Sequence, residues 1–87
     1  MLELKSPTLG HLAVYVHGFT TGGSYAYHCT IHPNMHGTVV VDSSSVVMSD
    51  SVSITNSTFV PASITVAPNA TVKWTNQDNV NHTVTSD

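Results

Sequence analysis

The stretch "SYAYHCTIHPNMHGTVVVD", residues 24–42, contains two runs typical of β-strands on either side of a short loop. The first run, 24–29, alternates in hydrophobicity, and the second, 37–42, is a short apolar run that suits the core of a sandwich. Pro33 and Asn34 between them, and Gly37 where the second run begins, supply tight-loop chemistry. Because one thiol, two imidazoles and one thioether lie within residues 27–35, the stretch predicts a hairpin that presents metal ligands.

The rest of the chain repeats this strand pattern. Short runs rich in β-branched and aromatic residues are separated by Pro, Asn, Asp or Gly. These runs are 11–17, 51–55, 62–67, 71–75 and 81–85. No window shows sustained helical periodicity, so we predict an all-β domain of about seven strands, arranged as an antiparallel sandwich or barrel. The small polar stretch 42–45 has the composition of a linker.

Length and charge limit the possible functions. The chain has 87 residues, enough for one small domain with a marginal core. Its formal charge of −3 argues against a nucleic-acid or anionic-membrane partner. No apolar run approaches the roughly 20 residues of a membrane span. The first ten residues lack the long apolar stretch of a signal peptide, so we expect that any export signal is outside this chain.

The ligand-rich loop predicts a copper site. Successive side chains of a strand point to opposite faces, so only a tight loop brings Cys29, His32 and Met35 to one point. Cys29 is the only cysteine, which excludes an internal disulfide. Thiolate and thioether donors favour copper, and one Cys with two His and a distant Met is the donor set of an electron-transfer copper site. The best candidate for the missing imidazole is His82, which begins a strand after a polar turn.

Two stretches together resemble the cupredoxins, small blue copper proteins of the plastocyanin, pseudoazurin and amicyanin kind. "FVPASITVAPNATVKWTNQDNVNHTVTSD" (59–87) resembles the family's N-terminal half, which ends in the first histidine ligand. "GGSYAYHCTIHPNMHGTVVV" (22–41) resembles the C-terminal half with its Cys–His–Met loop. The spacing of that loop is closest to the amicyanin-like pattern. The family turn within 67–71 often has Gly where this chain has Asn69, which tolerates the left-handed conformation.

The resemblance implies a Greek-key β-sandwich of seven to eight strands with one type 1 copper ion. Its ligands would be His82, Cys29, His32 and Met35. It also implies that Thr30 and Thr83 brace the two ligand segments against each other. The implied function is electron transfer without catalysis, in a periplasmic or other extracytoplasmic location. Protein redox partners would dock at an apolar patch near His32, with Pro33 and Asn34 at its rim.

The order of the two halves is reversed relative to the family. His82 follows Cys29 by 82 − 29 = 53 residues, whereas the family's first histidine precedes the cysteine. We therefore expect a circularly permuted single domain over 1–87. In it, 1–41 corresponds to the C-terminal half, 42–45 is the linker, and 46–87 corresponds to the N-terminal half. The new ends, Met1 and Asp87, would lie in an exposed loop, where such cuts are tolerated.

Several alternatives remain open at this stage. The chain could be a segment cut across two tandem domains, or form a swapped dimer, although we expect a monomer. A copper delivery or storage module would use the same ligands. A structural zinc site could use Cys29, His32, His36 and His82. A multicopper enzyme would need paired His-x-His spacing, which the chain lacks.

The other histidines and two tyrosines have simpler expected positions. His11 and His17 are expected to face solvent. His28 should point away from the metal, and His36 is expected on the surface near it. Tyr25 and Tyr27 share a strand face with Cys29, where packing is the expected role and an electron path is the alternative.

Overall fold

A computed structural model describes residues 3–87 as a β-sandwich of two four-stranded sheets. The eight strands are β1 (Val14–Phe19), β2 (Gly23–His28), β3 (His36–Val41), β4 (Ser49–Thr55), β5 (Thr58–Val60), β6 (Ser63–Val66), β7 (Ala70–Asn76) and β8 (Thr85–Ser86). The strand order is β1-β7-β4-β5 in one sheet and β6-β3-β2-β8 in the other. The predicted all-β sandwich of seven to eight strands is confirmed.

Both sheets are mixed, so the expectation of a purely antiparallel arrangement is wrong for two strand pairs. β3 pairs with β6 and β4 pairs with β7 in parallel. The chain passes from β5 in one sheet to β6 in the other and then back to β7. A strand that returns after such a crossing has no hairpin to fix its direction, and it can therefore lie parallel to an earlier strand.

The core between the sheets is built from alternate residues of each strand, as the period of two requires. Trp74 on β7 and Tyr27 on β2 are its largest members, with exposed fractions of 0% and 1%. The Trp74 indole N–H donates a hydrogen bond of 3.1 Å to the Tyr27 hydroxyl, which joins the two sheets. Burial raises the pKa of Tyr27 to about 12, so its hydroxyl stays protonated.

Two residues with turn-forming chemistry, Gly37 and Asn69, lie in different kinds of backbone structure. Gly37, predicted to supply loop chemistry where the second strand run begins, lies within β3 opposite Tyr27. A Cβ atom added there would be 2.3 Å from Cζ of Tyr27, so the ring occupies the space that any side chain would need. Asn69 has φ of 74°, which confirms the predicted left-handed turn.

The run predicted as a strand over 81–85 is mostly irregular. It runs antiparallel to the segment 4–9 through isolated bridges, with Leu9 opposite His82 and Lys5 opposite Thr85. Leu9 and His82 exchange backbone hydrogen bonds of 2.8 and 3.1 Å. The first and last described segments therefore lie side by side, and together they fix the position of His82.

The stretch 42–45 forms an exposed turn between β3 and β4. Asp42 accepts hydrogen bonds from the N–H and hydroxyl of Ser44, both at 2.9 Å. The domain division at this turn and the circular permutation remain predictions, and Met1 lies outside the described residues. Within residues 3–87, no helix is long and apolar enough to cross a membrane.

Candidate metal centre

The loop after β2 is closed by its own backbone. The Met35 N–H donates to the His32 carbonyl at 2.9 Å, which makes a β-turn with Pro33 and Asn34 in its centre. The Cys29 N–H then donates to the Met35 carbonyl at 3.2 Å. These two bonds fold Cys29, His32 and Met35 toward one end of the sandwich.

The segment before His82 is held by the buried side chain of Asn76. Its amide group donates to the carbonyls of Leu9 and Val80 at 2.8 and 2.9 Å. Its oxygen accepts the Asp78 N–H at 2.9 Å. Since every polar atom of this amide is paired, Asn76 sets the path of the loop that leads from β7 to His82.

Three donor atoms converge where the two segments meet. Cys29 Sγ lies 3.8 Å from His32 Nδ1 and 3.7 Å from His82 Nδ1, and the two Nδ1 atoms are 3.1 Å apart. A triangle of this size accommodates one ion at about 2.0 Å from nitrogen and about 2.3 Å from sulfur. Cys29 and His82 are fully buried, and His32 is partly exposed. Two imidazoles and one thiolate suit one type 1 copper ion.

Asp78 orients His82, a contact that the sequence pattern does not reveal. Its Oδ2 atom lies 2.8 Å from His82 Nε2, so the ring donates its Nε2–H to the carboxylate and leaves the Nδ1 lone pair for a metal. The same carboxylate accepts the N–H groups of Ser57 and Asn56 at 2.8 and 2.7 Å. The Ser57 N–H bond, followed by the contact with His82 and the Asn56 bond, holds the pKa of Asp78 below its usual value.

The cysteine sulfur is fixed by the segment that carries His82. The Thr83 N–H donates to Cys29 Sγ at 3.3 Å. The Thr83 hydroxyl oxygen accepts the Thr30 N–H at 2.9 Å and lies 3.0 Å from the Thr30 hydroxyl. The predicted brace between Thr30 and Thr83 is therefore confirmed.

Met35 is 5% exposed and belongs to the same apolar cluster as Cys29. Its burial is compatible with the predicted role as the fourth copper ligand, and that role remains a prediction. The metal-donor group found among residues 3–87 contains Cys29, His32 and His82 and leaves out His36. The four-ligand zinc alternative is thus not assembled.

The remaining histidines lie outside this group. His11 is exposed, and His17 is half-buried against Glu3. His28 points to the outer face of its sheet and contacts Asp87, as its predicted direction requires. His36 is exposed beside it. Tyr25 and Tyr27 face inward with Cys29, which confirms their shared strand face.

Comparison with known proteins gives one partial relative. A stretch of 39 residues is 49% identical to amicyanin of Paracoccus denitrificans, covering 45% of this chain and 30% of the length of that protein. No protein-family model matches the chain, and no solved structure matches it. The partial match and the three-donor group together support a cupredoxin-like protein.

Proposed function

We propose that this cupredoxin-like chain is a mononuclear type 1 copper protein that carries electrons between protein partners. The observation that supports it most directly is the convergence of Cys29 Sγ with the Nδ1 atoms of His32 and His82 at one buried point. We further propose that Met35 would supply a weak fourth ligand. A copper ion bound there supplies one-electron chemistry by alternating between Cu(II) and Cu(I).

The protein's part is to keep the donor set in place whatever the oxidation state. Asp78 fixes the tautomer and orientation of His82, and the Thr83 N–H bond restrains the sulfur of Cys29. Both restraints belong to segments that are held by further hydrogen bonds. Donors that do not need to move keep the reorganisation on electron transfer small, and the bond to sulfur tunes the potential.

His32 is proposed as the route by which the electron reaches the surface. It is the partly exposed member of the donor set, and it lines a shallow groove with Ile31, Pro33 and Asn34. Ile31 is 47% exposed, so the groove has an apolar wall. Such a patch suits the small, brief contacts of redox partners. By resemblance to the cupredoxins, we propose that the protein works outside the cytoplasm.

Copper delivery or storage is the competing proposal. A protein that hands over its metal needs a thiol that a partner can approach, whereas the Cys29 side chain is fully buried. Burial favours a retained ion that cycles in place. Measuring whether the loaded protein exchanges electrons faster than it releases copper to a chelator separates the two functions.

The visible spectrum of the protein loaded with Cu(II) tests the site. Charge transfer from the Cys29 thiolate to Cu(II) should give an intense visible band. Cys29→Ser should abolish the band, because it removes the sulfur and keeps a small polar side chain. A folded Cu(II) complex of the unmodified protein without this band would overturn the proposed site.

Replacement of Met35 by Leu tests whether Met35 is a copper ligand. We expect Met35→Leu to retain copper and to raise the reduction potential measured by voltammetry, because a donor that favours Cu(II) is lost. Met48→Leu is the matched control, since Met48 is 53% exposed and precedes β4. Equal potentials in all three proteins would show that Met35 is not a ligand.

A further inference from the structure

We propose a second metal site on the outer face of the β2–β3 hairpin, formed by His28 and His36 and oriented by Asp87. It would take an exchangeable divalent ion of the late first transition series, such as zinc, nickel or Cu(II), for which imidazole is a good ligand. It is separate from the site at Cys29. His28 is the last residue of β2 and contacts Asp87 on the outer face, whereas Cys29, which follows it directly, is buried in the core.

The register of the hairpin brings the two imidazoles together. His28 and His36 are directly opposite each other on antiparallel strands. The neighbouring pair, Cys29 and Met35, is the hydrogen-bonded one, because the Cys29 N–H donates to the Met35 carbonyl. His28 and His36 are therefore a non-hydrogen-bonded pair, the kind whose side chains approach most closely.

The two rings are already near the separation that a shared ion requires. Their centroids are 6.5 Å apart and their planes make an angle of 50°. Binding at about 2.0–2.1 Å from one nitrogen of each ring requires only that the side chains turn toward each other. His36 is exposed, and the side chain of His28 is 27% exposed, so solvent and ions reach both rings.

Asp87 orients the His28 ring, as a carboxylate commonly does for a histidine that binds a metal. Its Oδ1 atom lies 2.7 Å from His28 Nδ1, so the ring donates Nδ1–H to the carboxylate and directs the lone pair of Nε2 outward. Histidines that bind metals commonly donate their other N–H to a carboxylate in this way, which fixes the ring and makes it a better ligand. The half-exposed Asp87 carboxylate also contributes negative charge beside the cation.

His17 provides an internal control. It also contacts a carboxylate, that of Glu3, and it is similarly half-buried. Its partner across β1 and β7 is Val72, so it has no opposing histidine. If a carboxylate contact were sufficient for metal binding, His17 and His28 would bind a metal with equal affinity. We expect His17 to bind much more weakly than His28.

Zinc titration of the metal-free protein, followed by NMR of all six histidine rings, tests the proposal site by site. We expect the signals of His28 and His36 to shift together along one saturation curve, distinct from the curve shared by His32 and His82. His17 should shift only at much higher zinc concentration. Because the two sites are resolved separately, a failure at the Cys29 site would leave this result interpretable.

Variants complete the test. His36→Ala should weaken zinc binding at His28 by at least about tenfold, because the second ligand of a linked pair is lost. Asp87→Asn should weaken it by roughly tenfold. His17→Ala should leave it unchanged. Independent saturation of His28 and His36, or undiminished binding in His36→Ala with the fold intact by circular dichroism, would overturn the proposal.

Discussion

At the scale of single residues, Asp78 links the buried ligand His82 to a neighbouring turn of the chain. Its carboxylate binds the ring of His82 and caps the tight turn at Asn56 and Ser57, both of which have φ of 53°. The sequence places Asp78 four residues before His82, a spacing that implies a contact only on a helix. On a loop, the contact between Asp78 and His82 depends on the path that Asn76 sets for the chain. The sequence could therefore identify His82 as a ligand but could not identify Asp78 as the residue that orients it.

Removal of the Asp78 charge should weaken metal binding without removing a ligand. In Asp78→Asn a neutral amide oxygen replaces the carboxylate as acceptor, so His82 becomes a weaker ligand and its ring less fixed. We expect copper affinity, measured by competition with a chelator, to fall by about 10–100-fold. Asp50→Asn is the matched control, since within residues 3–87 the Asp50 carboxylate accepts one hydrogen bond, from the N–H of its neighbour Ser51. Equal affinities in both variants would mean that Asp78 does not orient His82.

At the scale of elements, the β2–β3 hairpin combines the ligand loop with the centre of the core. Side chains alternate between the two faces of a strand, and this alternation correctly predicted that Tyr25, Tyr27 and Cys29 share a face. It could be used without knowing the fold, because it is a local property of the strand. The strand over 37–42 was predicted, but the need for glycine at position 37 was not. Glycine there is explained by the ring of Tyr27 lying over it, and that contact depends on the register between two strands.

A side chain at position 37 should therefore strain the hairpin. The added methyl group of Gly37→Ala would be 2.3 Å from the ring of Tyr27, whose hydroxyl is held by Trp74. We expect the free energy of unfolding of the metal-free protein, measured in urea, to fall by about 1–3 kcal/mol. In the control Gly18→Ala, the nearest atom to the new group is 4.0 Å away, so stability should change little. A similar loss in both variants would contradict this account of Gly37.

At the scale of the whole molecule, the predictable part of the fold was local and the rest depended on pairings between distant segments. Strand-forming runs, the ligand loop and the polar turn over 42–45 were identifiable from neighbouring residues. The parallel pairs β3–β6 and β4–β7 were not, because nothing in a strand's own sequence fixes its neighbour. The sequence also could not predict that the segment 4–9 lies against 82–86, because the two segments are at opposite ends of the described chain.

The pairing of 4–9 with 82–86 supports the proposed circular permutation. It also suggests an experiment in which the order of the two halves is reversed. Ser86 donates its N–H to the Leu4 carbonyl at 2.8 Å, so the two ends lie close enough for a short loop to join them. A reordered chain would join Asp87 to Met1 through such a loop and open within the exposed turn 42–45. Loop closure over so few residues costs little, and cuts in exposed turns are tolerated.

We expect the reordered chain to be monomeric by light scattering and to bind copper with the visible spectrum and affinity of the original. The reason is that Cys29, His32 and His82 meet through strand pairing and hydrogen bonds, none of which depends on the order of the halves. If the original chain instead joined parts of two tandem domains, it would complete each site only as a dimer. A dimeric original, or a folded reordered chain that cannot bind copper, would therefore contradict the permutation.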